Sequence, residues 1–158
     1  MQTITAKKPL SELLEDRGAC DDAVDWAADF GDDYHGAWDQ CERGDWMLWL
    51  AATLGVRRQL VAHAACQCAR LALQHVKSGE ERPLKAIETT EAWCRGEATI
   101  DSVKSAKAAA YAAAYAAAAA ADAADDAAYA RKTTLKRCAE LVRETISFEI
   151  IQEALNGQ

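Results

Sequence analysis

The sequence predicts an all-α fold, a compact single-domain array of helices around one long alanine-rich helix. Alanine has the highest intrinsic helix propensity, and it fills 18 of the 25 positions from 106 to 130. The chain has only two prolines in 158 residues. No stretch alternates apolar and polar residues with the two-residue period of a strand. We therefore expect a disordered tail at 1–8 and one helical domain at 9–158.

The alanine-rich segment, residues 104–130, is predicted to form one helix of about 27 residues, roughly 40 Å long at ~1.5 Å per residue. At about 100° per residue, its larger side chains fall in one stripe: Lys104, Lys107, Tyr111, Tyr115, Asp122, Asp125, Asp126 and Tyr129. The other faces are nearly all alanine, which lets neighbouring backbones approach closely. The stripe is either a partly solvated face or a ligand or partner surface formed by Tyr111, Tyr115, Asp122 and Asp126.

Two short helices are predicted to precede the first tryptophan-rich segment. The first covers residues 9–17, with Ser11 as a possible N-cap and Gly18 as its stop. The second starts with Asp21 or Asp22 as its cap and runs to Gly31. Residues 32–36 are expected to form a loop.

The central helices carry the apolar rows of the predicted core. Asp45 is a good N-cap for a helix that ends at Gly55, and the large side chains of Trp46 and Trp49 are expected to be core residues. Residues 57–77 are apolar over a wide arc, so this helix is predicted to lie beside the alanine-rich one.

The remaining helices are marked by their boundaries. Pro83 suits the first turn of a helix that ends at Gly96. Thr133 or Thr134 is expected to mark a break after the alanine-rich helix, and Ser147 is expected to cap a short last helix.

Charge is unevenly distributed along the chain. Residues 11–45 hold twelve acids and two bases, a net −10, while the remainder is +3. This segment would repel phosphate but complements a basic surface on another protein. The expected partner-binding residues are Asp29, Asp32, Asp33, Asp39 and Glu42, with Trp38 as an exposed aromatic anchor. Alternatively, these acids are solvated faces and helix N-terminal charges.

The sequence offers no catalytic, metal or cofactor signature. His63, Cys66 and Cys68 have suggestive spacing, but on a helix His63 and Cys66 lie about 60° apart and Cys68 about 160° from Cys66, too far to converge on one ion. The N-terminal MQTITAKKPL is polar and no apolar run reaches membrane-spanning length. We therefore expect a cytoplasmic, non-enzymatic protein with reduced cysteines.

Four segments carry a resemblance to a known family. They are CERGDWMLWL (Cys41–Leu50), HAACQCARLAL (His63–Leu73), ERPLKAIETTEAWCRGEAT (Glu81–Thr99) and CAELVRETISFEIIQEAL (Cys138–Leu155). Together with the alanine tract, they resemble helical proteins of phages and bacteria, many of which are labelled immunity proteins of toxin systems. The alanine tract resembles the phage-borne members in particular.

The resemblance implies an inhibitor that binds a bacterial defence or toxin protein, such as a nuclease or nucleic-acid-binding complex of the host. The alternatives are a self-associating structural or assembly protein, with a homodimer formed through the alanine face, and a helical protein that binds a small ligand beside the tyrosine stripe.

Overall fold

The computed structural model describes residues 7–105 and 127–158. The all-α prediction is confirmed, because every regular element in these two ranges is a helix and none is a strand. The chain forms two compact units, residues 1–41 and 42–158. Most of the predicted alanine-rich helix falls on residues 106–126, outside the described residues, while residues 100–105 and 127–130 on either side are helical.

The first unit contains three short helices: α1 (Leu10–Asp16), α2 (Asp21–Ala28) and α3 (Tyr34–Gln40). Helices α1 and α2 pack against each other, and the Leu10 amide donates to the Gly31 carbonyl at 2.8 Å. The buried side chains are Leu10, Leu14, Ala23, Ala27, Tyr34, Ala37, Trp38 and Cys41.

The predicted starts of these helices need correction. Helix α1 begins directly after Pro9, so Ser11 lies inside it. The N-cap of α2 is the exposed Cys20, so Asp21 is its first helical residue.

Helix α3 begins inside the predicted loop. It starts at Tyr34 because the Asp33 carboxylate accepts a hydrogen bond from the Gly36 amide at 2.9 Å, the usual way in which an aspartate caps a helix.

The second unit contains α4 (Gly44–Thr53), α5 (Arg58–Ala72) with a 3₁₀ turn (Leu73–His75), α6 (Arg82–Cys94), α7 (Ala127–Thr145) and α8 (Phe148–Asn156). Helix α5 packs against α4, α6 and α7, and α4 also packs against α7. Pro83 lies in the first turn of α6, as predicted. Val142, Ile146 and Ile151 are the largest fully buried side chains.

Three predictions for the second unit were wrong: the N-cap at Asp45, the burial of Trp46 and Trp49, and the helix break at Thr133 or Thr134. Helix α4 begins at Gly44, and Asp45 is paired with Arg43 at 2.7 and 2.9 Å instead of capping the helix. Trp46 is only half-buried and Trp49 is 36% exposed, since Met47 and Ala51 form the buried face of α4.

Helix α7 continues through the predicted break at Thr133 and Thr134. The Thr133 hydroxyl donates to the Tyr129 carbonyl at 3.0 Å, so the polar side chain is satisfied within the helix.

Helix α4 approaches the backbone of α7 very closely at Gly44. A Cβ atom placed on Gly44 would lie 2.5 Å from Cβ of Cys138 and 2.8 Å from the backbone nitrogen of Ala139. Glycine is therefore required at this contact because any side chain would overlap the neighbouring backbone.

Candidate functional site

The candidate site is the acidic surface of the first unit. The exposure of its carboxylates follows from the spacing of the buried residues in the helices. In α1, Leu10 and Leu14 are four residues apart and share the buried side, and in α2 Ala23 and Ala27 do the same. The charged residues between them point to solvent. The acidic surface consists of ten exposed carboxylates: Glu12, Glu15, Asp16, Asp21, Asp22, Asp25, Asp29, Asp32, Asp33 and Asp39.

The charge of the whole protein originates in this unit. Residues 1–41 contain ten acids and three bases, a net charge of −7. Residues 42–158 contain fifteen acids and fifteen bases and are neutral. The structural division therefore separates a unit that carries the entire net charge from a neutral one.

Two of the three bases lie at the start of α1. The ammonium group of Lys7 lies 3.9 Å from the centre of the Tyr34 ring. Lys8 forms ion pairs with Asp16 and, at 3.4 Å, with Glu12. The hydrogen bond that Lys8 donates to the Asp16 carboxylate raises the pKa of Lys8.

Tyr34 fixes the chain just before α1. Its buried hydroxyl donates to the Lys8 carbonyl at 2.6 Å, and this burial raises the pKa of Tyr34, with smaller contributions from nearby Asp32 and Glu12. Lys7 and Lys8 are therefore held in place, although the sequence placed them in the disordered tail. The rest of that tail, residues 1–6, lies outside the described residues.

Four of the predicted partner-binding residues lie on the acidic surface. Asp29 is the C-cap of α2, Asp32 follows in the turn, and Asp33 is the N-cap of α3. Asp39 lies on α3 with its carboxylate 3.3 Å from Nε2 of His35. Sequence reasoning did not select the other six carboxylates, although their spacing against the buried leucines and alanines of α1 and α2 already indicated exposure.

Trp38 was expected to be an exposed anchor, and this is wrong. Its side chain is only 5% exposed because α3 turns Tyr34, Ala37 and Trp38 toward the interior. The residue stabilises the unit instead of presenting an aromatic surface to a partner.

Glu42 lies in the second unit. Its carboxylate is 3.1 Å from Nζ of Lys136 on α7, so its charge is already balanced. Because it belongs to the second unit, Glu42 is not counted in the acidic surface defined above.

The stripe on the alanine-rich segment, the alternative ligand or partner surface, lies mostly outside the described residues. Tyr111, Tyr115, Asp122 and Asp126 lie outside the described residues. Two other members, Lys104 and Tyr129, are exposed, and Tyr129 is 75% exposed. These two side chains are accessible to solvent.

The cysteines near His63 have separate hydrogen-bond partners. The buried Cys66 thiol donates to the Ile87 carbonyl of α6 at 3.9 Å, whereas the Cys68 thiol donates to the Cys138 carbonyl of α7 at 3.7 Å. Burial raises the pKa of Cys66 to about 11. Within residues 7–105 and 127–158, no group of three or more His, Cys, Asp or Glu side chains has an arrangement that could hold a metal ion.

Comparison with known proteins found no matching family model, curated protein or solved structure. Among the described helices, none combines the length and the apolar character needed to cross a membrane.

Proposed function

We propose that this chain is a non-enzymatic inhibitor that binds a basic protein through the acidic surface of its first unit. The main support for this proposal is that residues 1–41 have ten exposed carboxylates and a net charge of −7. The proposed target is a bacterial defence or toxin protein, such as a nuclease or a nucleic-acid-binding complex. The inhibitor would be phage-encoded and act in the cytoplasm of the host.

The acidic surface favours association with a basic partner for electrostatic reasons. Charges within about 8 Å of each other still interact at physiological salt, and a one-signed surface steers an oppositely charged partner and speeds encounter. Balanced charges give the second unit no comparable field. The same carboxylates repel nucleic acid, so the expected partner is a protein that itself binds nucleic acid.

An inhibitor needs no chemistry of its own. Occupation of the basic groove with which a nuclease or nucleic-acid-binding complex holds its substrate is sufficient to block it. The resemblance of the sequence to proteins labelled immunity proteins supports the same class of function, as an analogy that concerns the role and not any catalytic residue.

The test is affinity capture from a bacterial lysate at low and high salt, with identification of the retained proteins by mass spectrometry. The test variant carries Asp29→Lys, Asp32→Lys and Asp39→Lys, and it spares the helix cap Asp33 so that the fold is kept. The control variant carries the same charge change at exposed positions of the second unit, Glu81→Lys, Asp101→Lys and Glu153→Lys.

We expect a basic protein that the wild type and the control retain at low salt, that high salt releases, and that the test variant fails to retain. Its nuclease or binding activity should fall when the wild type is added. Equal retention by the test and control variants would overturn the proposal. If the protein instead forms a dimer by light scattering and retains no partner, self-association becomes the better interpretation.

A further inference from the structure

Two thiols of the second unit lie in contact with each other. Cys68 on α5 and Cys138 on α7 are 70 positions apart in the sequence, yet the Cys68 sulfur lies 3.7 Å from the Cys138 carbonyl oxygen. The Cys68 proton is shared between this carbonyl and the Cys138 sulfur. The fold thus places two nucleophilic sulfurs side by side on neighbouring helices.

The packing around Cys138 holds this contact in place. Cys138 is 7% exposed and lies directly against Gly44 of α4, and α5 also packs against α7. Cys68 is half-buried and connects the pair to the surface. A disulfide between the two residues would bring their sulfurs to a bonding distance of about 2.0 Å.

The two thiols are electronically unequal. Their shared hydrogen bond lowers the pKa of Cys138, whose thiolate accepts it, and raises the pKa of Cys68, whose proton is donated. Because the thiolate is the reactive form of cysteine, Cys138 is the better nucleophile and Cys68 is placed to react second.

We propose that Cys68 and Cys138 are an oxidative modification site at which hydrogen peroxide forms a disulfide between α5 and α7. The Cys138 thiolate attacks the O–O bond of peroxide, which gives a sulfenic acid and releases hydroxide. The Cys68 thiol then attacks the Cys138 sulfur, the S–O bond breaks, and the proton of Cys68 leaves with the hydroxyl group as water. The released hydroxide takes up the proton that Cys138 lost on ionisation, so that in sum two thiols are oxidised and one peroxide is reduced to two waters.

The other thiols in the same unit provide controls. Cys66 donates to the Ile87 carbonyl and Cys94 donates to the Gln59 carbonyl at 3.4 Å. Burial raises the pKa of both, so each is expected to react more slowly than Cys138. A disulfide between Cys68 and Cys138 closes a loop of 70 positions, which restricts the unfolded chain and should stabilise the second unit.

The experiment treats the full-length protein with hydrogen peroxide, alkylates the remaining thiols and maps the peptides by mass spectrometry. We expect a Cys68–Cys138 linked peptide and a rise in Tm of roughly 10 °C, both reversed by a reducing agent. The same treatment of a Cys68→Ser variant should leave Cys138 as sulfenic or higher acid, with no rise in Tm. Cys66→Ser and Cys94→Ser should behave like the wild type.

The proposal fails if Cys68 and Cys138 are both fully alkylated after treatment while the exposed Cys20 is oxidised. It also fails if Cys68 is found linked to a cysteine other than Cys138. A Cys138→Ser variant that still forms a Cys68 disulfide within one chain would be equally decisive.

Discussion

The two units of the chain differ in their balance of acidic and basic residues. In the first unit the carboxylates outnumber the bases by seven, and they occupy exposed positions around a small core. In the second unit acids and bases are equal in number, and several form close pairs such as Arg70–Glu91 and Arg82–Glu80. The first unit folds despite the mutual repulsion of its charges.

This difference in charge balance shows that the fold of the first unit does not depend on paired surface charges. Repulsion among like charges destabilises a compact state, so the acidic surface, apart from the Asp33 cap and the ion pairs of Lys8, does not explain the fold of the first unit. Its buried residues account for its fold instead. The acidic surface is therefore available for recognition, whereas the paired charges of the second unit are already used in contacts within the chain.

The largest expected effect tests whether the small core holds the acidic unit together. Trp38→Ala should lower the free energy of unfolding by about 3–5 kcal/mol, because it removes a large buried side chain and leaves a cavity. Chemical denaturation measures the loss, and amide exchange in residues 7–41 locates it. The control Trp49→Ala removes a side chain that is 36% exposed and should cost clearly less. Equal losses would contradict the assigned burial.

A smaller effect tests the close approach of helices in the neutral unit. Gly44→Ala should lower the free energy of unfolding by about 1–3 kcal/mol, since the added methyl group overlaps the backbone of α7. The control is Gly157→Ala, where the nearest atom to the new methyl group lies at 3.6 Å. Thermal unfolding followed by circular dichroism compares the two. Similar melting curves for both variants would show that α7 can move away without cost.

The third prediction concerns Asp33 in the acidic unit, whose carboxylate caps helix α3. Asp33→Ala should lower the free energy of unfolding by about 1 kcal/mol, because the Gly36 amide loses its hydrogen-bond acceptor. Asp33→Asn should restore most of this stability, and Asp32→Ala should have little effect. The measurement is urea denaturation of all three variants. If Asp32→Ala proves as harmful as Asp33→Ala, the acids of this turn do not have separate roles.

The smallest effect concerns a charge pair of the neutral unit. The Arg70 guanidinium hydrogen-bonds Glu91 and lowers the pKa of that carboxyl below 4.5. Because the folded-state pKa is the lower one, the pair stabilises the protein above about pH 4.5 and loses this contribution as the pH falls. Arg70→Gln should therefore cost about 1 kcal/mol or less at pH 7 and flatten the acid side of the stability profile. Parallel profiles for wild type and variant would refute the coupling.

The fold class and most helix positions could be predicted because they depend on local signals. Pro83 and the apolar spacing of α5 are examples. The sequence could not show that Trp38 faces inward and Trp49 partly outward, because both belong to tryptophan-containing amphipathic segments and only tertiary packing selects the buried side. Equally, the exposure of Asp29 and Asp39 was predictable, but the pairing of Glu42 with Lys136 joins residues distant in sequence. The contact between Cys68 and Cys138 depends on the same long-range packing.

The N-cap of α2 offers a practical route to observing recognition directly. Cys20 is exposed, whereas the other five cysteines are buried or partly buried. A maleimide fluorophore should therefore attach preferentially at this position, next to Asp21 and Asp22. A dye there would report by a change in emission when a cationic partner arrives at the acidic surface, without altering any of its carboxylates.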